Sequence, residues 1–296
     1  MKKIAVIGAG TMGNGIAHVF AVHGFPVSLI DLYPGQLEKA LKTIDKNLDR
    51  QLQKGTLTPE MKQQTLLRIE TFSDLKSGVA EADLIVEAVS ENAEIKLNIF
   101  RELDKWALPD AILASNTSSI SITRIAAASS RPAQVIGMHF MNPVPVMKLV
   151  EVINGHATAA SVTQAVTEIT GQLEKVPCVV NDYPGFIANR ILMPMINEAI
   201  ISLQEGVAGV EAIDTIMKLG MAHPMGPLQL ADFIGLDICL SILKVLHAGF
   251  GNPKYAPSPL LINMVNAGFL GVKTGEGFYV YSPGSGNLRV SGRFKN

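Results

Sequence analysis

Two residues able to do acid-base chemistry, His139 and Glu151, lie in the almost wholly apolar stretch VIGMHFMNPVPVMKLVEVI, on either side of a proline-stiffened loop. Residues 135–140 and 148–153 read as short strands, and a reversal through NPVPVM would bring the two side chains together. A carboxylate flanked by Leu149, Val150, Val152 and Ile153 is costly to bury without a partner, and a histidine is a natural one. An orienting carboxylate behind an imidazole makes a general base for work near neutral pH. The other reading is a structural polar pair, so the elements around it must decide.

The amino terminus supplies such elements. Residues 3–7 read as a strand, GAGTMG follows, a helix runs to about residue 23, and FPVSLI is a second strand ending at Asp31. In this βαβ unit Gly8 permits the tight turn, Gly10 lets backbone approach a pyrophosphate, and Gly13 allows helix to pack on strand. Ala9, Thr11 and Met12 complete the turn, and phosphates would rest on the helix N-terminus, where unpaired N–H groups favour an anion. Asp31 can accept hydrogen bonds from ribose hydroxyls and would repel a 2′-phosphate, while Leu32 and Tyr33 offer no compensating arginine. NAD is therefore expected over NADP. The alternative is a glycine turn that binds nothing, which leaves the acid at the strand end unexplained.

Further polar residues gather where strands should end. Residues 111–114 lead into Ser115, Asn116, Thr117, Ser118 and Ser119, and the strand around 84–89 leads into Ser90 and Glu91, with Lys96 in the next helix. Ligands of doubly wound sheets bind outside the carboxyl ends of strands, although such residues also cap helices. At 296 residues and 48% hydrophobic the chain can build two cores, and a net charge of −1 gives no sign of a nucleic-acid or membrane preference. Cys178 and Cys239 lack metal-ligand spacing, so neither a metal site nor a disulfide framework is expected, and a reducing, cytoplasmic home is the simplest.

The pattern predicts a helical region from 34 to about 67, strand and helix alternating up to 153, and a boundary at Asp182 and Tyr183, giving domains 1–182 and 183–296. The expected fold is α/β, a Rossmann-type N-terminal domain followed by a mostly helical one. Phe186, Ile187, Ile191, Leu192, Met195, Ile196, Ala199 and Leu203 follow helical spacing around most of a helix, which predicts burial in the second domain or against another subunit, hence a homodimer. The tail from 282 to 296 is expected to be loosely ordered. His18, His23, His156, His223 and His247 read as structural or exposed, His223 of HPMGP being the main rival to His139.

GAGTMG, VEAVSEN, SNTSS, GMHFMNPVPVMKLVEV, DYPGFIANR, HPMGPLQLADFIGLD and KTGEGFY, in this order, closely resemble the two-domain L-3-hydroxyacyl-CoA dehydrogenases, including bacterial 3-hydroxybutyryl-CoA dehydrogenases. The resemblance spans nearly the whole chain and implies reversible hydride transfer between C3 of an (S)-3-hydroxyacyl-CoA and NAD. It makes His139 the general base, Glu151 its electrostatic partner, and Ser118 and Asn189 contacts to substrate oxygens. It adds Glu91, Lys96, Asn116, Asn142 and Lys273 as contacts to NAD, beside Gly8, Gly10, Gly13 and Asp31. Lys39, Lys42, Lys46, Arg50 and Lys54 form a stripe that reads first as a solvated helix face. Lys54 matches a family lysine on coenzyme A, whereas Asn47 stands where relatives carry a serine. Two other functions would use much of the same sequence: a dehydrogenase of a free 3-hydroxy acid such as a sugar acid, and a non-catalytic NAD sensor. The basic helix with Lys54 disfavours the former, and a general base disfavours the latter.

Overall fold

The computed structural model describes residues 1–282 and 288–294, and the chain divides into two compact units, Met1–Tyr183 and Pro184–Asn296. The first unit is built on the strands β1 (Ile4–Ile7), β2 (Val27–Ile30), β3 (Ile69–Phe72), β4 (Leu84–Glu87), β5 (Ile112–Ser115), β6 (Val135–Phe140), β7 (Leu149–Asn154) and β8 (Val176–Asn181). They form one sheet in the order β3-β2-β1-β4-β5-β6-β7-β8. Every residue of β1, β2, β4, β5 and β6 is buried, as a sheet covered on both faces requires. Its connections run through α1 (Thr11–Val22), α2 (Pro34–Gln53), α3 (Pro59–Leu67), α4 (Leu75–Val79), α5 (Ala93–Trp106), α6 (Ile122–Ala126) and α7 (Ala160–Gln172). Ile4, Val6, Ile16, Phe20, Leu29, Ile44, Leu48, Val86 and Met138 share one core. Strand order reverses at β1, which lies between β2 and β4, and the carboxyl ends of β1 and β4 there open the crevice in which this architecture takes a dinucleotide.

Two features of this unit matter for the site. The helical stretch from 34 to 67 is broken: α2 ends with Lys54 as its cap, Gly55 turns the chain at φ +69°, and the Thr58 hydroxyl accepts from Met61 N at 3.3 Å to start α3. The strand β8 went unrecognised because Pro177 interrupts it. It lies at the sheet edge, parallel to β7, where a residue without an N–H is tolerated.

The second unit contains α8 (Ala188–Gln204), α9 (Val210–Gly220), α10 (Pro227–Ile234), α11 (Leu236–Phe250) and α12 (Pro259–Asn266) around Ile196, Leu228, Leu236, Leu243, Leu261 and Phe278. The burial expected of α8 is met by this unit on one face. α8 buries Met193, Ile196, Ala199 and Ile200, but Ile187 and Ile191 beside them are 48% and 66% exposed, because only one face meets this core. The tail is also more ordered than composition suggested. β10 (Arg289–Val290) pairs antiparallel with β9 (Tyr279–Val280), and the buried Ser291 donates its hydroxyl to Glu276 at 2.7 Å. Residues 283–287 and 295–296 of that expected loose tail lie outside the described residues. Among the described residues no single helix is long and apolar enough to cross a membrane, and no cluster of three potential metal ligands occurs.

Candidate active site

Antiparallel pairing of β6 with β7 sets His139 directly opposite Glu151. Opposed residues of such a pair point to the same face of the sheet, so the register makes the two side chains meet. His139 Nδ1 lies 2.8 Å from Glu151 Oε2, and both residues are buried. With the carboxylate as acceptor, Nδ1 carries the proton and Nε2 keeps its lone pair. The Ser118 hydroxyl lies 3.1 Å from that Nε2. Carboxylate, imidazole and hydroxyl therefore stand in series, with the basic nitrogen facing the Ser118 hydroxyl.

Ser118 is held by an acid. Glu91 Oε1 accepts from Thr117 Oγ1 at 2.6 Å, from Ser118 N at 2.9 Å, from Ser119 N at 3.0 Å and from Ser119 Oγ at 2.9 Å. Burial alone would raise its pKa, but the charge of Lys96 and these donors outweigh that and hold the carboxyl below its ordinary range. Beneath it, Lys96 Nζ lies 2.6 Å from Glu87 Oε1 and 3.5 Å from Glu91 Oε2, while Ser115 Oγ donates to Glu87 Oε2 at 2.6 Å. A fully buried Glu87 is tolerable because its oxygens are met by an ammonium, a hydroxyl and the Val89 N–H.

Two residues expected to contact the cofactor also have partners within the protein. The Lys96 ammonium is buried and bound to carboxylates, and Asn116 Oδ1 accepts from Phe140 N at 2.9 Å, tying the loop after β5 to the end of β6 beside His139. The first partnership lies within one strand–helix unit, whereas the second joins residues brought together by the pairing of β5 with β6.

The glycine turn after β1 has the shape a dinucleotide needs. Gly8 adopts φ +98°, and a Cβ there would come within 2.8 Å of Ala88 O; a Cβ on Gly13 would fall 1.7 Å from Gly8 O. Only Gly10 faces open space, with nothing within 4 Å of an added Cβ, which is the clearance a pyrophosphate requires at the N-terminus of α1. Asp31 accepts from Ala9 N at 2.8 Å and from Tyr33 N at 3.0 Å, fixing its carboxylate at the end of β2. A cavity of about 700 Å³ opens there, lined by Gly8, Gly10, Asp31, Leu32, Tyr33 and Ile95 among others. Asp31 and Glu102 are the carboxylates of its otherwise uncharged lining, which suits the adenosine half of NAD, and Thr11 and Met12 lie in the first turn of α1.

Gly10 also borders a second cavity of about 320 Å³, walled on one side by Lys39, Thr43 and Asn47 of α2 and on the other by Asn142, Pro143, Val144 and Pro145. Lys39, Thr43 and Asn47 recur every four residues and so share one helix face, a spacing visible in the sequence once the facing loop is known. Asn47 Oδ1 also accepts from Arg50 Nη1 at 3.3 Å. Lys54 lies about two turns beyond Asn47, exposed at the end of α2, where a cation also complements the helix terminus. In the second unit Asn189 stands in the first turn of α8, and Lys273 pairs with Asp237. His223 lies in the second unit, half-buried in the loop before α10.

Residues 3–183 match the model for the 3-hydroxyacyl-CoA dehydrogenase NAD binding domain, and residues 185–281 match the model for the C-terminal domain of the same family. A probable 3-hydroxybutyryl-CoA dehydrogenase of Deinococcus radiodurans is 56% identical over 94% of this chain and its own full length. A 3-hydroxybutyryl-CoA dehydrogenase of Bradyrhizobium diazoefficiens is 55% identical, over 95% of this chain and 96% of its own. The crystal structure of an (S)-3-hydroxybutyryl-CoA dehydrogenase from Ralstonia eutropha superposes with a TM-score of 0.93 at 47% identity, covering 95% of this chain and 99% of that one. With both domain models in order along the chain, the protein belongs to the 3-hydroxyacyl-CoA dehydrogenase family.

Proposed function

We propose that this NAD-dependent dehydrogenase interconverts (S)-3-hydroxyacyl-CoA and 3-oxoacyl-CoA, with 3-hydroxybutyryl-CoA as a substrate. The observation that carries the reading is the series Glu151, His139, Ser118, with contacts of 2.8 Å and 3.1 Å. Bound at the Gly8 to Gly13 turn and Asp31, NAD supplies the hydride acceptor. The chain supplies the proton chemistry. His139 Nε2 takes the proton of the C3 hydroxyl, Ser118 Oγ holds the same oxygen from the other side, and Glu151 stabilises the imidazolium that results. In reduction the roles reverse, and the imidazolium returns its proton to the oxygen formed from the C3 carbonyl. Glu91 fixes Ser118, Glu87 and Lys96 support Glu91, and Asn116 fixes the strand end that carries His139, so the geometry is in place before substrate arrives.

The cavity between α2 and the 142–145 loop takes the coenzyme A arm, with Asn47 and Lys54 along its course, and Asn142 on the facing loop is proposed as a contact to NAD. Asn189 and Lys273 are proposed as contacts from the second unit, to substrate and to cofactor. The exposed Ile187 and Ile191 face of α8 suits a homodimer contact, and free cysteines suit a cytoplasmic protein. The test is the loss of NADH absorbance with acetoacetyl-CoA, run beside free acetoacetate and with NADPH replacing NADH. Turnover with the thioester and NADH is expected; turnover of the free acid alone would assign the site to another substrate, and NADH binding without turnover would make it a sensor.

A further inference from the structure

Lys175 is a buried lysine far from the acid-base series in sequence and absent from every role assigned above. It follows α7 at the threshold of β8, is 7% exposed, and points its ammonium at backbone rather than at a carboxylate. Lys175 Nζ donates to Val144 O and to Met147 O, each at 2.7 Å. Both carbonyls belong to the loop joining β6 to β7, the strands that carry His139 and Glu151. The loop is already a turn in its own right, with Val146 N and Met147 N donating to Pro143 O at 2.9 Å and 3.0 Å. On its other flank the Val144 side chain is seated on α1, where a Cβ at Gly15 would come within 2.9 Å of Val144 Cβ. The loop is thus gripped between a glycine notch and a lysine, and the segment so held forms one wall of the cavity that faces Asn47.

We propose that Lys175 is a positioning residue for the thioester: by holding Val144 O and Met147 O it fixes the loop wall, and with it Asn142 and Pro143, against α2. Removing the amine leaves two inward-facing carbonyls without a donor, and the loop satisfies them by swinging toward water, widening the cavity. Burial, with a smaller contribution from Lys148, brings the Lys175 pKa down to about 8. Either protonation state retains the two hydrogens that the carbonyls need, the ammonium being the stronger donor.

The proposal rests on the cavity being the coenzyme A site, so the experiment has one readout tied to substrate and one that is not. In K175M, KM for acetoacetyl-CoA is expected to rise about tenfold or more, with kcat and NADH affinity changed by no more than about threefold and with K175R recovering most of the loss. Amide exchange at Val146 and Met147 is expected to accelerate in K175M and to return toward wild type in K175R. Unchanged exchange and unchanged KM would overturn the proposal, as would kcat, KM and NADH affinity all falling in step with melting temperature. Faster exchange with no effect on thioester KM would leave the clamp standing but overturn its role in substrate positioning. A wild-type enzyme that ignores acetoacetyl-CoA would instead refute the substrate reading. Should K175M not fold, K175Q, which keeps a polar head on a shorter stem, provides the same comparison.

Discussion

Glu151→Gln removes a charge while keeping an acceptor of the same shape next to His139 Nδ1. The ring stays anchored and the 2.8 Å contact can persist, so the change isolates electrostatics from geometry. When Nε2 takes the substrate proton, the imidazole becomes a cation whose charge centre lies about 4 Å from the carboxylate, an interaction of about 4 kcal/mol at the effective dielectric of about 20 that suits such sites. Loss of most of this stabilisation corresponds to a fall in kcat of about 10²–10³, within the range of positioned acid-base catalysis. Single-turnover oxidation of (S)-3-hydroxybutyryl-CoA, followed as NADH absorbance, reads the step directly, and NADH fluorescence titration checks that the cofactor still binds. His139→Gln should cost as much or more. The double variant should be far less impaired than the product of the two losses, because the second substitution removes a partner already disabled. A Glu151→Gln enzyme with kcat within about threefold of wild type would refute an electrostatic role.

Asp31→Asn keeps oxygen acceptance at the end of β2 but removes the charge facing the ribose, so kcat/KM with NADPH relative to NADH should rise about tenfold or more; an unchanged ratio would contradict the Asp31 reasoning. Lys54 is exposed, so Lys54→Ala should raise KM for the thioester only about threefold while leaving that for NADH unaltered, and equal effects on both would remove it from the coenzyme A path. His18 is buried, and burial lowers its pKa from 6.5 to about 4 against a smaller opposing contribution from Gln51. The unfolded chain therefore takes up a proton first on acidification, and the stability present above the ordinary histidine value is lost as pH falls toward 4, by up to about 3 kcal/mol. Asp232 acts in the opposite sense, since burial raises its pKa from 3.8 to about 6 and folding is favoured more as pH falls through that window. Denaturant melts should accordingly show the stability difference between wild type and His18→Gln shrinking on the acid side of pH 6; parallel curves would contradict the assignment to His18.

The dinucleotide turn was legible because its requirements are local: Gly8 needs a positive φ, Gly13 has no room for a side chain, and Asp31 follows at the strand end. The meeting of His139 with Glu151 was legible for a different reason, because two adjacent strands with one buried polar group each favour a single register. The protein partners of Lys96 and Asn116 were less legible: Glu87 closes on Lys96 within one strand–helix unit, and the Phe140 N–H reaches Asn116 only through the pairing of β5 with β6. Lys175 gave no signal at all, since its acceptors are main-chain carbonyls that no side-chain pattern encodes. For α8, composition shows apolar residues around most of the helix but not which surface covers each: its own unit buries one face and leaves Ile187 and Ile191 exposed.

The central claim is that His139 removes the proton while hydride leaves C3, and its most direct test uses (S)-3-hydroxybutyryl-CoA deuterated at C3 under single-turnover conditions. The wild-type enzyme should place the deuterium in NADH with a primary isotope effect, and His139→Gln should transfer the same label at a rate lower by about 10²–10⁴ with NAD binding intact. Deuterium lost to solvent would contradict direct hydride transfer, and a His139→Gln rate within a few fold of wild type would contradict the assignment of the base.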